Sequence, residues 1–267
     1  MQFYYFGGSF EHNLISRLEE SGFAGTMFVY DPVLGDVFTR MARDIKYTEK
    51  IKYLVAIRPY SISPQYLCMI NKSIKTIMPD RLQINLISGH IKEHEKRFGG
   101  IIGDINDLSS RVERSNYLID YLDVINNLEN ADERVKYPDF YVTTTNRFVF
   151  DKANEYNNKM IISYRDYKNG HWMTYDENHQ MRNGEKFDLS NKNVMIALTP
   201  VIREMQKDLD LVDRSKEATD TEYFTYETFD ALVKKLESEN INHLLINGWP
   251  YKERDVIIDF IKKYTQN

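Results

Sequence analysis

Short apolar runs alternate with segments of helical periodicity along the whole chain, and this alternation restricts the fold more than any other feature. Eight runs have the length and composition of strands: residues 3–6, 26–30, 52–57, 82–87, 139–143, 159–163, 193–198 and 243–246. They are rich in Val, Ile, Leu, Phe and Tyr without strict alternation of apolar and polar positions, as in parallel strands that are covered on both faces. Repeated strand–helix units therefore predict an α/β fold with a parallel sheet.

The number of units favours a closed barrel. Eight strand–helix units in 267 residues fit a (β/α)8 TIM barrel, which typically takes ~250 residues. An open doubly wound sheet is the alternative, but it usually carries a glycine-rich fingerprint after its first strand. Here Gly7, Gly8 and Ser9 follow the first run and lack that spacing. No linker or repeat divides the chain, so we expect a single barrel domain over residues 1–267.

Capping residues mark where two of the helices begin. Ser63 followed by Pro64 predicts the start of one helix, and Ser110 with Glu113 has the spacing of a capping box. The predicted core face of the first helix consists of Leu67, Ile70, Ile74 and Ile77. After the sixth strand, residues 167–187 contain two Asn-Gly pairs where a helix would be expected. This segment predicts a hairpin-like excursion.

Charge and cysteine content exclude several classes of protein. The chain has 35 basic and 40 acidic residues and a net charge of -5, which argues against a nucleic-acid binder with a basic stripe. No apolar run approaches the ~20 residues that cross a bilayer, and the first residues do not form a signal peptide. The single cysteine, Cys68, excludes an internal disulfide, and its apolar neighbours predict a small core side chain. We expect a cytoplasmic protein.

Two places at the C-terminal ends of strands are candidates for ligand binding, because barrel active sites are built there. Arg58 follows the third run, and a charge at the end of a buried strand needs a partner. That partner is either an acidic residue such as Asp31 or an anionic ligand. Residues 143–146, Thr-Thr-Thr-Asn, lie between the fifth strand and a helix. They make either an anion site at a helix N-terminus or an ordinary N-cap.

Two further patterns each have two interpretations. His90, Glu93 and His94 spell the H-x-x-E-H pattern of some zinc proteases. No third ligand is evident, and the same residues fit a solvated rim, so no metal is expected. Trp249 follows the eighth run and is either a platform that faces a ligand or a lid over the barrel end.

Four stretches of the chain resemble the bacterial-luciferase-like flavin monooxygenases, and among them the alkanesulfonate monooxygenases. They are KYLVAIRPYSISP (52–64), DRLQINLISGH (80–90), SSRVERSNYLIDYLDVI (109–125) and INHLLINGWP (241–250). In the first two stretches, the Arg-Pro, Ser-Pro and Asn-x-x-Ser-Gly elements occur in the order and at the interval of that family. The likeness covers residues 20–128 well, is fainter over 139–204 and returns at 226–264.

The resemblance implies a luciferase-like barrel that binds reduced FMN, or a related deazaflavin, supplied by a separate flavin reductase in a two-component system. The implied cofactor-binding residues are Asn85 and Ser88 at the flavin ring, Thr143, Thr144, Thr145 and Asn146 at the phosphate, and Arg58, which lies on the active-site side of its strand and would face an anionic ligand. The candidate catalytic residues are Arg58, Tyr164, Arg165 and Trp249. Barrels of this family are commonly dimers, so a homodimer is expected.

Departures from the family bear on the substrate. Leu34 stands where the alkanesulfonate enzymes have an active-site cysteine, and Ala197 and Thr199 stand where they have an arginine and a histidine. We therefore expect a flavin-dependent oxidoreductase or monooxygenase that acts on a small organic substrate other than alkanesulfonate. The alternative is a non-catalytic flavin- or ligand-binding protein on the same barrel, because a fold does not fix a function.

Overall fold

Eight parallel strands close into a barrel in the computed structural model, which describes residues 1–7, 12–30, 35–88, 110–175, 181–189, 193–210, 221–247 and 253–266. The barrel strands are β1 (Gln2–Phe6), β2 (Gly25–Phe28), β3 (Lys52–Ile57), β4 (Leu82–Ile87), β5 (Asp139–Thr143), β6 (Lys159–Ser163), β9 (Val194–Arg203) and β11 (His243–Asn247). Each strand pairs in parallel with the next, and β11 pairs with β1 to complete the ring. The predicted (β/α)8 barrel is confirmed.

Helices form the layer outside the barrel. The described ones are α1 (His12–Glu20), α2 (Val37–Asp44), α3 (Pro64–Lys75), α4 (Arg111–Ala131), α5 (Arg147–Glu155), α6 (Tyr164–Asn169), α7 (Gln206–Asp210), α8 (Tyr226–Ser238) and α9 (Arg254–Gln266). Ser63 caps α3, and Ser110 and Glu113 form a capping box at the start of α4. Both predicted starts are confirmed, and each cap satisfies N–H groups that the first helical turn leaves unpaired. None of the described helices combines the length and the apolarity needed to cross a bilayer.

Two apolar cores lie on opposite faces of the strands. The inner core fills the barrel and contains Tyr4, Met27, Leu54, Tyr141, Ile161, Met195 and Leu245. The outer core joins the outward strand faces to the helices, as Val55, Leu118 and Ile257 illustrate. The strands are therefore buried on both sides, which explains their apolar runs without alternation. The barrel interior is packed with side chains, so ligand access is expected at a barrel end.

Gly25 is required by the packing of Tyr4 inside the barrel. The two residues are register partners on β2 and β1. A Cβ atom at position 25 would lie 2.3 Å from the Tyr4 ring. No side chain fits at that distance, so the glycine allows the tyrosine ring to pack against the backbone of β2.

The predicted excursion after the sixth strand is an antiparallel hairpin of β7 (His171–Tyr175) and β8 (Met181–Lys186). A hydrogen bond of 2.8 Å from Phe187 N to Gly170 O closes its base. Trp172 is buried between the rings of Phe150 on α5 and Phe187, with centroid distances of 4.0 and 4.4 Å. These aromatic contacts attach the hairpin to the helical layer beside α5.

The structure departs most from the sequence prediction at the seventh barrel strand, although β2 also ends at Phe28, two residues before the predicted end. We predicted a seventh strand over residues 193–198, but β9 continues to Arg203. Its second half pairs in parallel with β10 (Thr221–Thr225), a strand that the sequence did not reveal. This added pair extends the sheet beyond the eight-stranded ring, because the barrel partners of β9 contact only its first half.

The structure also corrects one helix face and supports one core assignment. Ile77 was expected in the core, but its side chain is 65% exposed. The reason is that α3 ends at Lys75, and a turn in which Ile77 N donates to Ile74 O redirects the chain. Cys68 is a buried, free thiol whose Sγ lies 3.7 Å from the carbonyl oxygen of Lys136, as predicted for a core residue.

Candidate active site

The C-terminal ends of the strands bring most of the predicted site residues to one rim of the barrel. Arg58 follows β3, Ser88 follows β4, Thr143 ends β5 and Tyr164 follows β6. Since the strands are parallel, these ends share one edge of the barrel. The predictions that involve Asp31, Leu34, His90, Glu93, His94 and Trp249 lie outside the described residues.

Arg58 is a buried cation at this rim. Its side chain is only 5% exposed. The guanidinium carbon lies 5.4 Å from the ring centroid of Tyr30 and 5.9 Å from that of Tyr60. The carbonyl oxygen of Arg58 accepts hydrogen bonds from the backbone N–H and the hydroxyl of Ser61, at 2.9 and 2.7 Å. A tight turn and two aromatic rings therefore hold a cation at the barrel mouth.

Asn85 and Thr143 form a hydrogen-bonded pair on neighbouring strands. Asn85 is 2% exposed inside the barrel, whereas Thr143 is exposed at the end of its strand. Thr143 Oγ1 donates to Asn85 Oδ1 at 2.9 Å, and Asn85 Nδ2 lies 3.6 Å from Met27 Sδ. The buried amide of Asn85 therefore orients the exposed hydroxyl of Thr143. Ser88 is half-buried at the same rim, and its contact with a flavin stays a prediction.

The Thr-Thr-Thr-Asn run divides into two parts with different local roles. Thr143 belongs to β5, whereas Thr144 and Asn146 shape the start of α5. Thr144 Oγ1 accepts from Asn146 N at 2.9 Å, and Asn146 Oδ1 accepts from Phe148 N at 2.9 Å and from Val149 N at 3.4 Å. Asn146 is thus the N-cap of α5, and the capping interpretation describes it. Phosphate binding by this run, including Thr145, stays a prediction.

Arg147 is a cation at this position that the sequence analysis did not single out. It is the first residue of α5 and is only partly exposed. Its Nε lies 2.7 Å from Asp151 and its Nη1 lies 2.9 Å from Glu185 of the hairpin. The cation closest in sequence to the predicted phosphate site is therefore already engaged by two carboxylates. Its position directly after the N-cap is the clue that could have drawn attention to it.

Tyr164 and Arg165 occupy different surroundings, although they are adjacent in sequence. Tyr164 is half-buried, with its ring 5.9 Å from Tyr167 and 6.2 Å from Phe224 of β10. Burial raises the pKa of the Tyr164 phenol, so the hydroxyl keeps its proton well above neutral pH. Arg165 is exposed. Catalytic roles for both residues stay predictions.

The seventh barrel strand contributes a hydroxyl of its own to the rim. Thr199 is buried, and its Oγ1 accepts a hydrogen bond of 3.3 Å from Asn247 Nδ2 at the end of β11. Ala197, two residues earlier, is half-buried. Thr199 and Asn247 are 48 residues apart in the sequence, so only the fold brings them together. Within the described ranges, no cluster of three or more His, Cys, Asp or Glu residues is arranged to hold a metal ion.

Comparisons with known proteins bear on the fold. No protein-family model and no curated protein matches the sequence. The structure is similar to EDTA monooxygenase from Chelativorans sp. BNC1, with a TM-score of 0.65, 8% identity and coverage of 100% of this chain and 93% of that chain. It is also similar to a riboflavin lyase with modified FMN and its substrate riboflavin, with a TM-score of 0.64, 10% identity and coverage of 100% and 91%.

A third similar structure is an F420-dependent secondary alcohol dehydrogenase in complex with an F420–acetone adduct. Its TM-score is 0.61, with 13% identity and coverage of 98% of this chain and 97% of that chain. At such identities the likeness establishes the fold alone. The chain therefore shares the (β/α)8 barrel fold of these proteins.

Proposed function

We propose that this chain is a flavin-dependent oxidoreductase that binds reduced FMN at the C-terminal mouth of its barrel. In this proposal it acts as a monooxygenase on a small organic substrate other than alkanesulfonate. The observation that carries the proposal is the setting of Arg58, a buried cation held beside Tyr30 and Tyr60 at the rim where such barrels bind ligands. A guanidinium in that setting suits an anionic or electron-rich planar ligand.

The residues at the rim fit the requirements of a flavin. Arg58 would face an anionic group of the cofactor, and the exposed hydroxyl of Thr143 would meet the edge of the ring. Tyr30 and Tyr60 supply apolar, aromatic surface beside the cation. The flavin, when bound, supplies the redox chemistry, and the protein groups bind, orient and exclude water.

The proposed site has two candidate cofactors, FMN and a deazaflavin. Solved structures with this fold include one named with FMN and one named with F420, so a deazaflavin is the second candidate cofactor. A separate flavin reductase would supply reduced FMN. The single cysteine is consistent with a reducing compartment, and the cytoplasm is the proposed location.

The proposal predicts that Arg58 is needed for cofactor binding. Purified protein is titrated anaerobically with oxidised and with chemically reduced FMN, and flavin absorbance and fluorescence report binding. We expect the wild type to bind reduced FMN with a Kd that is roughly micromolar or lower. Arg58→Ala should weaken binding by about tenfold or more, because it removes a buried charge-assisted contact. Arg58→Lys keeps the charge without the planar fork and should be intermediate.

A matched control and a contrary outcome sharpen this test. Arg134→Ala removes an exposed arginine that pairs with Asp132 away from the rim, and it should leave the Kd unchanged. Thermal denaturation checks that each variant is folded. Absence of flavin binding by folded wild type would refute the proposed function, and equal affinities for wild type and Arg58→Ala would remove Arg58 from the site.

A non-catalytic flavin- or ligand-binding protein is the second candidate function. The observation that favours it lies on β9, where Ala197 and Thr199 offer one hydroxyl and no titratable group to the rim. A protein of this kind would bind reduced FMN but would consume neither oxygen nor substrate. Oxygen uptake by the protein with reduced FMN, measured with and without candidate substrates, separates the two functions.

The proposal also includes a homodimer. Tyr66 and Met69, two large apolar side chains on α3, are 57% and 61% exposed. They line a groove of about 780 Å³ between α2 and α3, together with Val37, Phe38 and Ile70. The same face of a second copy would cover this apolar surface. Sedimentation equilibrium gives the mass in solution directly.

A further inference from the structure

Contacts among three side chains determine whether the Thr143 hydroxyl donates or accepts hydrogen bonds. The thioether sulfur of Met27 can only accept, and it lies 3.6 Å from Asn85 Nδ2. This contact orients the Asn85 amide with its NH2 group toward Met27 and its oxygen toward Thr143. Thr143 Oγ1 then donates its only proton to Asn85 Oδ1 at 2.9 Å. The hydroxyl therefore presents lone pairs alone to the barrel mouth.

Burial makes this polarity difficult to reverse. Met27 and Asn85 are both buried inside the barrel, whereas Thr143 is exposed at the rim. If Thr143 turned its proton toward a ligand, the Asn85 oxygen would be left buried without a donor, and water could not replace the lost bond. A ligand group that meets Thr143 is therefore favoured when it is an N–H or O–H donor and disfavoured when it is an acceptor such as a phosphate oxygen.

A second threonine of the same rim has the opposite polarity. Thr199 Oγ1 accepts from Asn247 Nδ2 at 3.3 Å, so its own proton stays available for donation. The two hydroxyls thus differ in what they can recognise, although their residue type and their end of the barrel are the same. This contrast makes Thr199 a control for any effect of simply removing a hydroxyl from the barrel mouth.

We propose that Thr143 is a specificity-determining acceptor that recognises an N–H group of the flavin ring and thereby favours reduced over oxidised FMN. The inference rests on the proposed function. Reduction adds protons to ring nitrogens of a flavin, so the reduced ring offers an N–H donor where the oxidised ring has a lone pair. An acceptor that cannot donate gains a hydrogen bond with the first and faces repulsion from the second. Asn85 is the positioning residue that enforces this polarity.

The test compares dissociation constants for the two redox states of FMN, measured anaerobically for wild type, Thr143→Val and Thr143→Ser. Valine keeps the shape and removes the acceptor, so we expect reduced FMN to bind roughly three- to tenfold more weakly. Oxidised FMN should bind as tightly as before or more tightly, because valine removes no hydrogen bond with that form and relieves the repulsion between the two lone pairs. Thr143→Ser keeps the hydroxyl and should behave as the wild type.

Asn85→Leu provides a readout that a merely structural role would not produce. It frees the Thr143 proton, so the preference for reduced FMN should fall through tighter binding of the oxidised form as well as weaker binding of the reduced form. Thr199→Val should not shift the ratio of the two constants in this way. If Asn85→Leu does not fold, the comparison of Thr143→Val with Thr143→Ser still tests whether Thr143 acts as the acceptor.

Three outcomes are distinguishable. Selective loss of reduced FMN in Thr143→Val, with recovery in Thr143→Ser, supports the inference. Equal effects on both redox forms, or no effect on either, overturn the inference and leave the proposed function standing. Failure of folded wild type to bind either form of FMN refutes the proposed function and the inference with it.

Discussion

Glu253 lies immediately before α9 with its side chain only 2% exposed, and it pairs with Arg203 at the end of β9. Arg203 Nη1 and Nη2 lie 2.6 and 2.9 Å from the two carboxylate oxygens. The arginine side chain keeps a quarter of its surface in solvent. Water can therefore hydrate the arginine more easily than the glutamate when its partner is removed. The two substitutions should lower the free energy of unfolding by different amounts.

We expect Arg203→Met to be more destabilising than Glu253→Gln. Without Arg203, a carboxylate remains buried without its cation, which costs about 3–5 kcal/mol in comparable pairs. Without the Glu253 charge, the partly exposed guanidinium can be hydrated, and we expect a loss of about 1–3 kcal/mol. Urea denaturation measures both free energies of unfolding.

A double variant and a surface pair serve as controls for the ion-pair prediction. Arg203→Met combined with Glu253→Met removes both charges and should recover part of the stability lost in Arg203→Met. Asp132→Asn disrupts an exposed pair with Arg134 and should leave the midpoint of unfolding nearly unchanged. Equal losses in the two buried single variants would contradict the asymmetry expected from burial.

At the scale of the element, Asn146 determines where α5 begins. Its side-chain oxygen accepts from two N–H groups of the first turn. Asn146→Ala should therefore lower the free energy of unfolding by about 1 kcal/mol. For a chain of this size that corresponds to a fall in Tm of about 2–4 °C, measured by circular dichroism.

Asn146→Asp is the matched control for the cap. Aspartate retains the acceptor oxygen and places a negative charge at a helix N-terminus, where it is stabilising. Its Tm should stay close to that of the wild type at neutral pH. A fall as large as that of the alanine variant would show that the capping hydrogen bonds are not the source of the effect.

Most secondary-structure elements could be predicted from local patterns in the sequence. The observed bounds of β3, β4, β5 and β6 equal the predicted ones, because each is an apolar run that is buried on both faces. In contrast, β10 has the sequence TEYFT, of which only Phe224 is buried. Such a strand is stabilised by its pairing with β9 rather than by its composition, so a local pattern cannot reveal it.

The candidate site could be located from the sequence but not assembled. The rule that barrel ligands bind at C-terminal strand ends selected one edge of the barrel, and the structure brings Arg58, Ser88 and Thr143 together there. The contact between Thr143 and Asn85 joins residues 58 apart in the sequence. It follows from the register of β4 and β5, which a single sequence does not specify. In contrast, the cap by Asn146 joins residues that are close in the sequence, so the N-cap interpretation could be stated from the sequence alone.

At the scale of the whole molecule, the barrel end opposite the candidate site carries a set of charged and titratable residues. Four barrel strands begin there with Lys52, Asp139, Lys159 and His243. Lys159 Nζ lies 2.7 Å from Asp139 Oδ2, and the His243 ring lies 6.0 Å from the ring of Tyr4. Burial opposes ionisation of Asp139, but the hydrogen bond and the charge of Lys159, the hydrogen bond with Gln83 and the charge of Lys52 together outweigh it and lower the pKa of that carboxyl.

Protonation of His243 makes the stability of the folded chain depend on pH. Burial, followed by the positive charges of Lys159, Lys52 and the N-terminal ammonium, lowers the pKa of His243 to about 4 from 6.5. The His243 imidazole is therefore protonated below pH 6.5 in the unfolded chain, but only below about pH 4 in the folded chain. The contribution to stability is fully present above pH 6.5, is lost as the pH falls to about 4, and does not change further below that value.

We expect His243→Gln to remove the part of the slope of stability against pH that His243 contributes in this window. Glutamine is neutral at every pH, so the variant and the wild type should diverge between pH 7 and pH 4 by about 2 kcal/mol, a value reduced for the partial exposure of the imidazole. Urea denaturation at pH 7, 6, 5 and 4 gives the two curves. Asp139 also loses part of its stabilising effect as the pH falls below about 5, because its pKa is lowered in the folded chain, and this loss is the same in both proteins. Parallel curves from pH 7 to pH 4 would mean that His243 accepts its proton in the folded barrel as readily as in the unfolded chain.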